Sequence, residues 1–406
     1  MKMKVLYITT SLPSLTLTFI YREIFALRKR NFEILTASMN RPPQNMVSRE
    51  SKELLKTTLF LDGVTFYKLL MATISTMIRK PFVFVGNCKL IVCANPINSL
   101  KDYVRLLYHL MDACYIYQQF REKSISHIHC HFISGPTSIG MFLSKLLNIP
   151  FSFTMHASLI WRDPIALSNK LTECKFCASI SNYNTNYVVK RYGSKHQHKI
   201  HTVRCGIPTD MKTTKASKYN DSAILNILSI GQLTERKGFH ILIEACFILL
   251  RNGLKFHCTI IGEGEQRPIL QNLIKSFNLE NQVTLAGAMP QEKIRSHFQE
   301  NDVFVMPCMV TNDGHRDGIP VALMEAMLFE LPVVTTNILG LPELVEHGVN
   351  GVLVEPNNAY LIADAVNELY LSQSYRKKLG KQGAQKIFRE FNSERSALKL
   401  EKLICS

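Results

Sequence analysis

Short apolar runs alternate with amphipathic stretches from one end of this chain to the other, the pattern of a parallel sheet wrapped by helices. In the first half the strand candidates are residues 5–9, 33–37, 127–131, 151–155, 177–181 and 200–203. Between them, residues 18–30 set Phe19, Ile20, Ile24 and Leu27 on one helical face, and residues 101–120 do the same with Val104, Leu107, Tyr108, Met111 and Tyr115. Residues 209–222 are polar and without periodicity, which reads as a linker. The alternation then restarts: strands at 224–230, 257–261, 283–285 and 303–307, separated by helices at 239–250, 265–277 and 291–299. Residues 374–404 read as one charged helix, with 386–406 placed to cross back onto the first half. A length of 406 residues exceeds what one hydrophobic core usually supports. The expectation is therefore two α/β domains, at 1–208 and 223–385.

Charge separates these halves. Residues 1–200 hold 26 Lys and Arg against 10 Asp and Glu, and residues 201–406 hold 22 of each, so the whole net charge of +16 sits on the first half. A basic surface attracts phosphates, whether on nucleic acid, on anionic lipid or on a phosphorylated substrate. No RNP box or helix-turn-helix pattern accompanies the charge, so nucleic acid is not an expected partner. Eleven cysteines are scattered singly apart from Cys174 and Cys177, which reads as free thiols in a reducing compartment rather than a zinc site. The apolar run at residues 1–8 is too short for a signal peptide. Asp62, Lys68, Arg79, Lys80 and Lys89 interrupt the apolar region 59–93, so a spanning helix is not expected, while a helix lying on a membrane surface stays open.

The densest chemical constellation is residues 317–327, Asp-Gly-Ile-Pro-Val-Ala-Leu-Met-Glu-Ala-Met. Pro320 suits the first turn of a helix, where its missing N–H is no loss, and the amides beside it point outward with the helix dipole behind them. That is an anion site suited to phosphate, and Gly318, Ile319 and Val321 supply its backbone. Asp317 and Glu325 flank it as carboxylates that accept hydrogen bonds from sugar hydroxyls. A capping aspartate and a surface glutamate would explain such a pair taken alone. Three further turns agree with the ligand reading. The strand at 224–230 ends in Gly-Gln-Leu-Thr-Glu-Arg-Lys-Gly, residues 231–238, where Lys237 offers a cation to a diphosphate. Gly262 and Gly264 follow the next strand, and Gly287 with Met289 follows the one after. In open parallel sheets, ligands sit at such carboxyl ends.

Taken in order, these motifs resemble glycosyltransferase family 4, over about residues 224–371. The family's two acids separated by seven residues match Asp317 and Glu325. Its Arg/Lys pair maps to Gln232 and Lys237, and its late Gly-x-x-Glu loop resembles residues 340–345. The N-terminal half resembles the same family more loosely. Residues 12–24, with Arg22 and Glu23, are similar to the opening motif of colanic-acid and other exopolysaccharide glycosyltransferases, and His129-Cys130-His131-Phe132 and Thr154-Met155-His156-Ala157 match that subgroup as well. The sequence departs from the family pattern at Gln232, where Arg is usual, at Leu17, where an acid is usual, and at Asp317, where Glu is usual.

The resemblance implies the GT-B fold, two doubly wound Rossmann-like domains facing a central cleft, and a retaining sugar transfer from a UDP- or GDP-linked donor. His156, Lys237 and Asp317 are then the expected catalytic residues, with Gln232, Arg236, Gly262, Met289, Gly318, Ile319, Val321 and Glu325 on the donor. No Asp-x-Asp occurs, so no metal or other cofactor is implied. The implied acceptor is a polyprenyl-diphosphate-linked sugar or an oligosaccharide, entering from the N-terminal domain. That domain's basic surface fits an anionic membrane, which makes the expected location cytoplasmic, with attachment to the inner membrane face left open. Two other classes of protein fit part of the pattern: a non-catalytic nucleotide-sugar-binding subunit, and a sugar-nucleotide epimerase.

Overall fold

The computed structural model describes residues 2–14, 17–43, 52–156, 160–161, 164–211 and 224–406. Residues 212–222 of the expected linker, and Ala157 of the motif around His156, lie outside the described residues. The chain divides into two compact units, Met1–Cys205 with Ser393–Ser406, and Gly206–Asn392. The first boundary falls after Cys205 rather than at 208, and the second unit runs to Asn392 rather than 385.

The first unit is built on seven parallel strands: β1 (Met3–Ser11), β2 (Phe32–Asn40), β3 (Thr58–Phe60), β4 (His127–His131), β5 (Phe151–Met155), β6 (Phe176–Ser179) and β7 (Ile200–Thr202), in the order β3-β2-β1-β4-β5-β6-β7. Along β1, successive side chains alternate between the two faces, and both faces are covered. Leu6 and Ile8 pack with Phe142 and Leu110 from helices Gly135–Leu147 and Leu100–Phe120. Val5 and Tyr7 pack with Ile20 and Ile24 of helix Thr18–Lys29 and with Leu400 of helix Ser393–Cys405. Burial on both faces is why the middle of β1 reads as a continuous apolar run, whereas β4, His-Ile-His-Cys-His, buries histidines on one face.

The second unit holds six parallel strands: β8 (Leu225–Ile230), β9 (Phe256–Ile261), β10 (Val283–Gly287), β11 (Val303–Met306), β12 (Val333–Thr336) and β13 (Val352–Val354), in the order β10-β9-β8-β11-β12-β13. One face packs on helices Phe239–Arg251 and Ala359–Leu371, the other on helix Val321–Leu328 and the C-terminal part of helix Gln373–Glu390. Two doubly wound α/β units of this kind make the GT-B fold.

Four expectations are corrected. The buried face of helix Leu100–Phe120 carries Leu106, Leu110, Ala113, Cys114 and Tyr117, while Val104, Leu107 and Tyr108 are exposed. Both faces of that helix are apolar, so periodicity could not choose between them. The expected single helix over 374–404 is two, Gln373–Glu390 and Ser393–Cys405, because the buried Phe391 leaves the helix to receive the Ile207 amide at 2.8 Å on its carbonyl. Pro320 is the residue before helix Val321–Leu328, in extended conformation, rather than part of its first turn. Strands β3, β12 and β13, only three or four residues each, went unread.

Candidate functional site

The strand order of the second unit reverses between β8 and β11, which are neighbours in the sheet although far apart in sequence. Ligands of open α/β sheets bind outside the carboxyl ends of the strands at such a switch point. The residues following these two strands carry the constellation read from sequence, residues 231–238 after β8 and 307–320 after β11. The structure ties the segments together. The Met309 amide donates to the Arg236 carbonyl at 2.9 Å. Gly238 lies at φ 69°, and a Cβ there would come within 2.0 Å of the Pro307 carbonyl oxygen, so only glycine permits the approach.

The turns after β8, β9 and β10 are joined edge to edge. The Leu233 amide donates to the Glu263 carbonyl at 2.9 Å, and the Gly262 amide to the Gly287 carbonyl at 2.9 Å. A Cβ on Gly262 would lie 1.8 Å from the Gly231 carbonyl oxygen. Gly262 and Gly264 therefore serve close backbone packing between loops, which fixes the rim of the sheet as one ledge.

Three charged side chains meet on this rim. Arg236 Nε lies 2.8 Å from Asp317 Oδ1, and Lys237 Nζ 2.8 Å from Asp317 Oδ2. Each carboxylate oxygen thus orients one cation. Burial alone would raise the Asp317 pKa, but Lys237 and then Arg236 outweigh it and hold the carboxyl below its ordinary value. Burial also opposes the charge on Lys237, and Asp317 outweighs it, so the ammonium is held above its ordinary range. Arg236 is accordingly no solvated surface charge. Gln232 is exposed on the same loop. Gly318, Ile319 and Val321 are half-buried at the start of helix Val321–Leu328, where the first amides of a helix have no intrahelical acceptor. Glu325 is buried inside that helix, and Met289 packs half-buried against the core that contains Met306 and Leu323.

His156 belongs to the first unit, just past the end of β5, and is buried between Phe19 and Phe132 at ring distances of 4.6 and 4.8 Å. It ends a polar chain that sequence reasoning did not assemble. His127, His129 and His131 alternate along β4 and so share one face of the sheet. His131 Nδ1 is 3.0 Å from His156 Nε2, His131 Nε2 is 3.2 Å from Glu23 Oε1, and the Tyr7 hydroxyl donates to Glu23 Oε1 at 2.8 Å. Burial pushes the pKa of His131 down to about 3, and burial followed by His131 holds His156 well below its ordinary range, so both rings are neutral. Burial raises the Glu23 pKa above its ordinary value. When Glu23 is ionised, His131 donates through Nε2 and accepts at Nδ1, and His156 donates through Nε2. Its Nδ1 is then left as an acceptor for a hydroxyl. The spacing of three histidines at every second residue was the available signal. Glu23, His129 and His131 also place three ligand atoms within 4.8 Å of one another, the arrangement that could hold a metal ion. His129 is already engaged by Ser152 and Thr154 at 2.8 and 2.9 Å.

At the carboxyl end of β1 and β2 lies a cavity of about 410 Å³, lined among others by Asn40, Arg105, His109, Ser134 and Lys170. Lys170 is fully buried and donates to the carbonyls of Ile133 and Ser134 at 2.7 and 3.3 Å. Burial lowers its pKa to about 7.

Residues 212–386 match the model of the family described as Glycosyl transferases group 1. The amylovoran biosynthesis glycosyltransferase AmsK of Erwinia amylovora is 42% identical over 165 residues, 41% of this chain and 40% of its own length. The putative colanic acid biosynthesis glycosyltransferase WcaL of Escherichia coli is 37% identical over 171 residues, 42% of each chain. The chain thus spans about two fifths of the length of these curated relatives. Among solved structures, a glycosyltransferase from Rickettsia africae superposes with a TM-score of 0.72 at 17% identity, covering 100% of this chain and 99% of its own. Anabaena Alr3699/HepE in complex with UDP and glucose gives 0.72 at 16% identity over 99% of both chains. These two likenesses concern the fold.

Proposed function

We propose that this chain, whose residues 212–386 match the Glycosyl transferases group 1 model and which is similar to exopolysaccharide-type relatives, is a glycosyltransferase that moves a sugar, with retained configuration, from a nucleotide-diphosphate donor to a lipid-linked intermediate of surface-polysaccharide synthesis. The observation that carries the reading is the Arg236–Asp317–Lys237 arrangement, at the switch point of the second sheet and beside the start of helix Val321–Leu328. In sugar transfer the leaving diphosphate gains negative charge while the sugar becomes cationic. Oriented cations and amides aimed at that charge are the largest source of acceleration. Lys237, Arg236 and the amides around Gly318 to Val321 take the diphosphate. Asp317 holds the cations in place and keeps lone pairs for a sugar hydroxyl, Glu325 takes the ribose, and His156 the transferred sugar. No metal-dependent step is needed for this scheme.

The relatives' names, amylovoran and colanic acid biosynthesis, support a polysaccharide acceptor. The cavity lined by Arg105 in the first unit is our candidate for a phosphorylated, polyprenyl-linked acceptor; Lys170, buried and bonded to the Ile133 and Ser134 carbonyls, shapes its wall rather than supplying a free cation. The basic first half supports peripheral contact with the inner face of an anionic membrane. A thermal-shift screen against UDP, GDP and their sugars tests the donor, because a ligand specific for the folded protein raises its midpoint. One nucleotide family is expected to raise it, and no shift with any of them would remove the donor assignment.

A further inference from the structure

The exposed apolar side chains are concentrated. Among the described residues, 14 of the 22 exposed large hydrophobic side chains fall between Phe66 and Tyr108. They lie on three helices that pack on one another, Phe66–Arg79, Pro81–Val92 and Leu100–Phe120. On the first helix, at 3.6 residues per turn, all seven exposed apolar residues from Phe66 to Ile78 share an arc of about 140°. The buried Leu69, Ala72 and Thr76 lie on the opposite side. This helix is already packed into the unit by one face and presents a second apolar face to solvent, with Ile78 72% exposed. The next helix repeats the pattern: Asn87 and Ile91 point inward, while Phe82 is 91% and Val92 72% exposed. The third turns Leu106 and Leu110 inward and leaves Leu100 79% exposed, with Val104, Leu107 and Tyr108 beside it.

Charge complements these faces. Residues 66–108 hold six lysines and arginines against one acid, the buried Asp102. Lys68, Arg79, Lys89 and Lys101 are exposed and not paired with it, while Arg105 pairs with Asp102 at 3.6 Å and Lys80 turns inward to the Leu146 carbonyl at 2.9 Å. Concentrated exposed apolar surface marks an interaction site. Amphipathic helices with Lys and Arg near an apolar face lie in the membrane interface, their apolar side entering the boundary between headgroups and acyl chains. We infer that these three helices are the surface by which the chain seats itself on an anionic bilayer, apolar side chains inserted and cations on the lipid phosphates. The inference rests on the membrane contact in the proposed function and adds to it that the contact is apolar as well as ionic. No single helix among the described residues is long and apolar enough to cross a membrane. The first two reach that length and composition only as a pair, and they are bent by 118° with one face of each already buried, which favours seating over spanning.

The test is co-sedimentation of the full chain with phosphatidylcholine vesicles, with and without phosphatidylglycerol, at low and at high salt. Wild type is expected to bind the anionic vesicles and to retain part of that binding in 1 M salt, where surface charges are screened within about 3 Å. An Ile78→Glu, Phe82→Glu double variant is expected to lose at least tenfold in partitioning, with unchanged thermal midpoint and nucleotide binding. If the variant partitions like wild type and salt releases both fully, the contact is ionic alone and this face is not the seat. If wild type binds neither vesicle, the face and the membrane contact both fall, whereas donor transfer is judged by its own assay. If wild type is a dimer that the variant breaks, the face is a subunit interface and the inference is overturned. Resistance to alkaline extraction from the vesicles would overturn it too, in favour of a span.

Discussion

Gln232 stands where a donor-diphosphate arginine is expected, so the second cation must come from elsewhere, and the structure offers Arg236. Its Nε lies 2.8 Å from Asp317, the distance at which Lys237 holds the other oxygen, so both cations are oriented by one carboxylate. Removing one preorganised donor to a developing negative charge lowers turnover roughly 10²–10³-fold. Lys237, whose side chain is 13% exposed, belongs at that level. Arg236 is 29% exposed, so water replaces more of its effect, and Arg236→Ala is expected to lower turnover about 10- to 100-fold. Gln232→Arg should restore much of that loss in the Arg236→Ala background, since a guanidinium binds phosphate in two-pronged fashion and an amide cannot. Because Arg236 and Lys237 share Asp317, their double alanine variant should lose less than the product of the single losses. The assay is initial rate at saturating labelled donor, with the thermal midpoint as a folding control. Wild-type rates for Arg236→Ala, together with a faster Gln232→Arg single variant, would refute the compensation and leave Arg236 as a purely structural partner of Asp317.

Glu325→Ala should weaken binding of the free nucleotide at least tenfold, because ribose hydroxyls lose a charged acceptor, whereas Asp317→Ala should mainly cut turnover; calorimetric titration with nucleotide separates the two. Gly262→Ala should destabilise the second unit by about 2 kcal/mol or more, since the new Cβ meets the Gly231 carbonyl at 1.8 Å; a denaturation midpoint equal to wild type would contradict that packing. Asp317 has a depressed pKa in the folded chain, so its ion pairs stabilise above the ordinary carboxylate range and that stability is lost as pH falls through the folded value. The stability gap between wild type and Asp317→Asn should therefore be full near neutrality and shrink below about pH 4. His131→Ala should lower kcat with little change in donor KM, because it frees the ring of His156 from its 3.0 Å partner, and His131→Asn, which keeps a polar group, should recover part of it; equal effects on both parameters would argue against a positioning role.

How much of this was legible in the sequence depends on what each signal measures. The ends of β8, β9 and β11 were legible to within a residue because a strand buried on both faces is mostly apolar and stops at a polar turn, and β4 and β5 were legible at their true bounds although β4 carries histidine at every second position. The loops after β8 and β11 were identified as the site from glycine and charge spacing, but their joining by Gly238 against Pro307 needs three dimensions. The pairing of both cations with Asp317 was equally hidden, since Arg236, 81 residues from Asp317, and its neighbour Lys237 meet it only through the strand order. Helix Leu100–Phe120 shows the opposite limit. With apolar residues on two faces, periodicity recovered the helix and named the exposed side as the packed one. A second apolar face is itself information, because a helix that needs only one to fold has the other available for a partner.

The central claim, that the second unit holds a sugar nucleotide through Lys237 and that the sugar is passed to a lipid-linked acceptor, is tested most directly by label transfer. Full-length protein is incubated with UDP- or GDP-sugars carrying labelled sugar and a lipid-linked saccharide extract, and label is counted in the organic phase for wild type and for Lys237→Ala. One donor family is expected to label the lipid fraction, and Lys237→Ala to lower the rate at least 100-fold. Absence of transfer from every donor, label transferred equally by Lys237→Ala, or a converted sugar nucleotide appearing without any acceptor would contradict it.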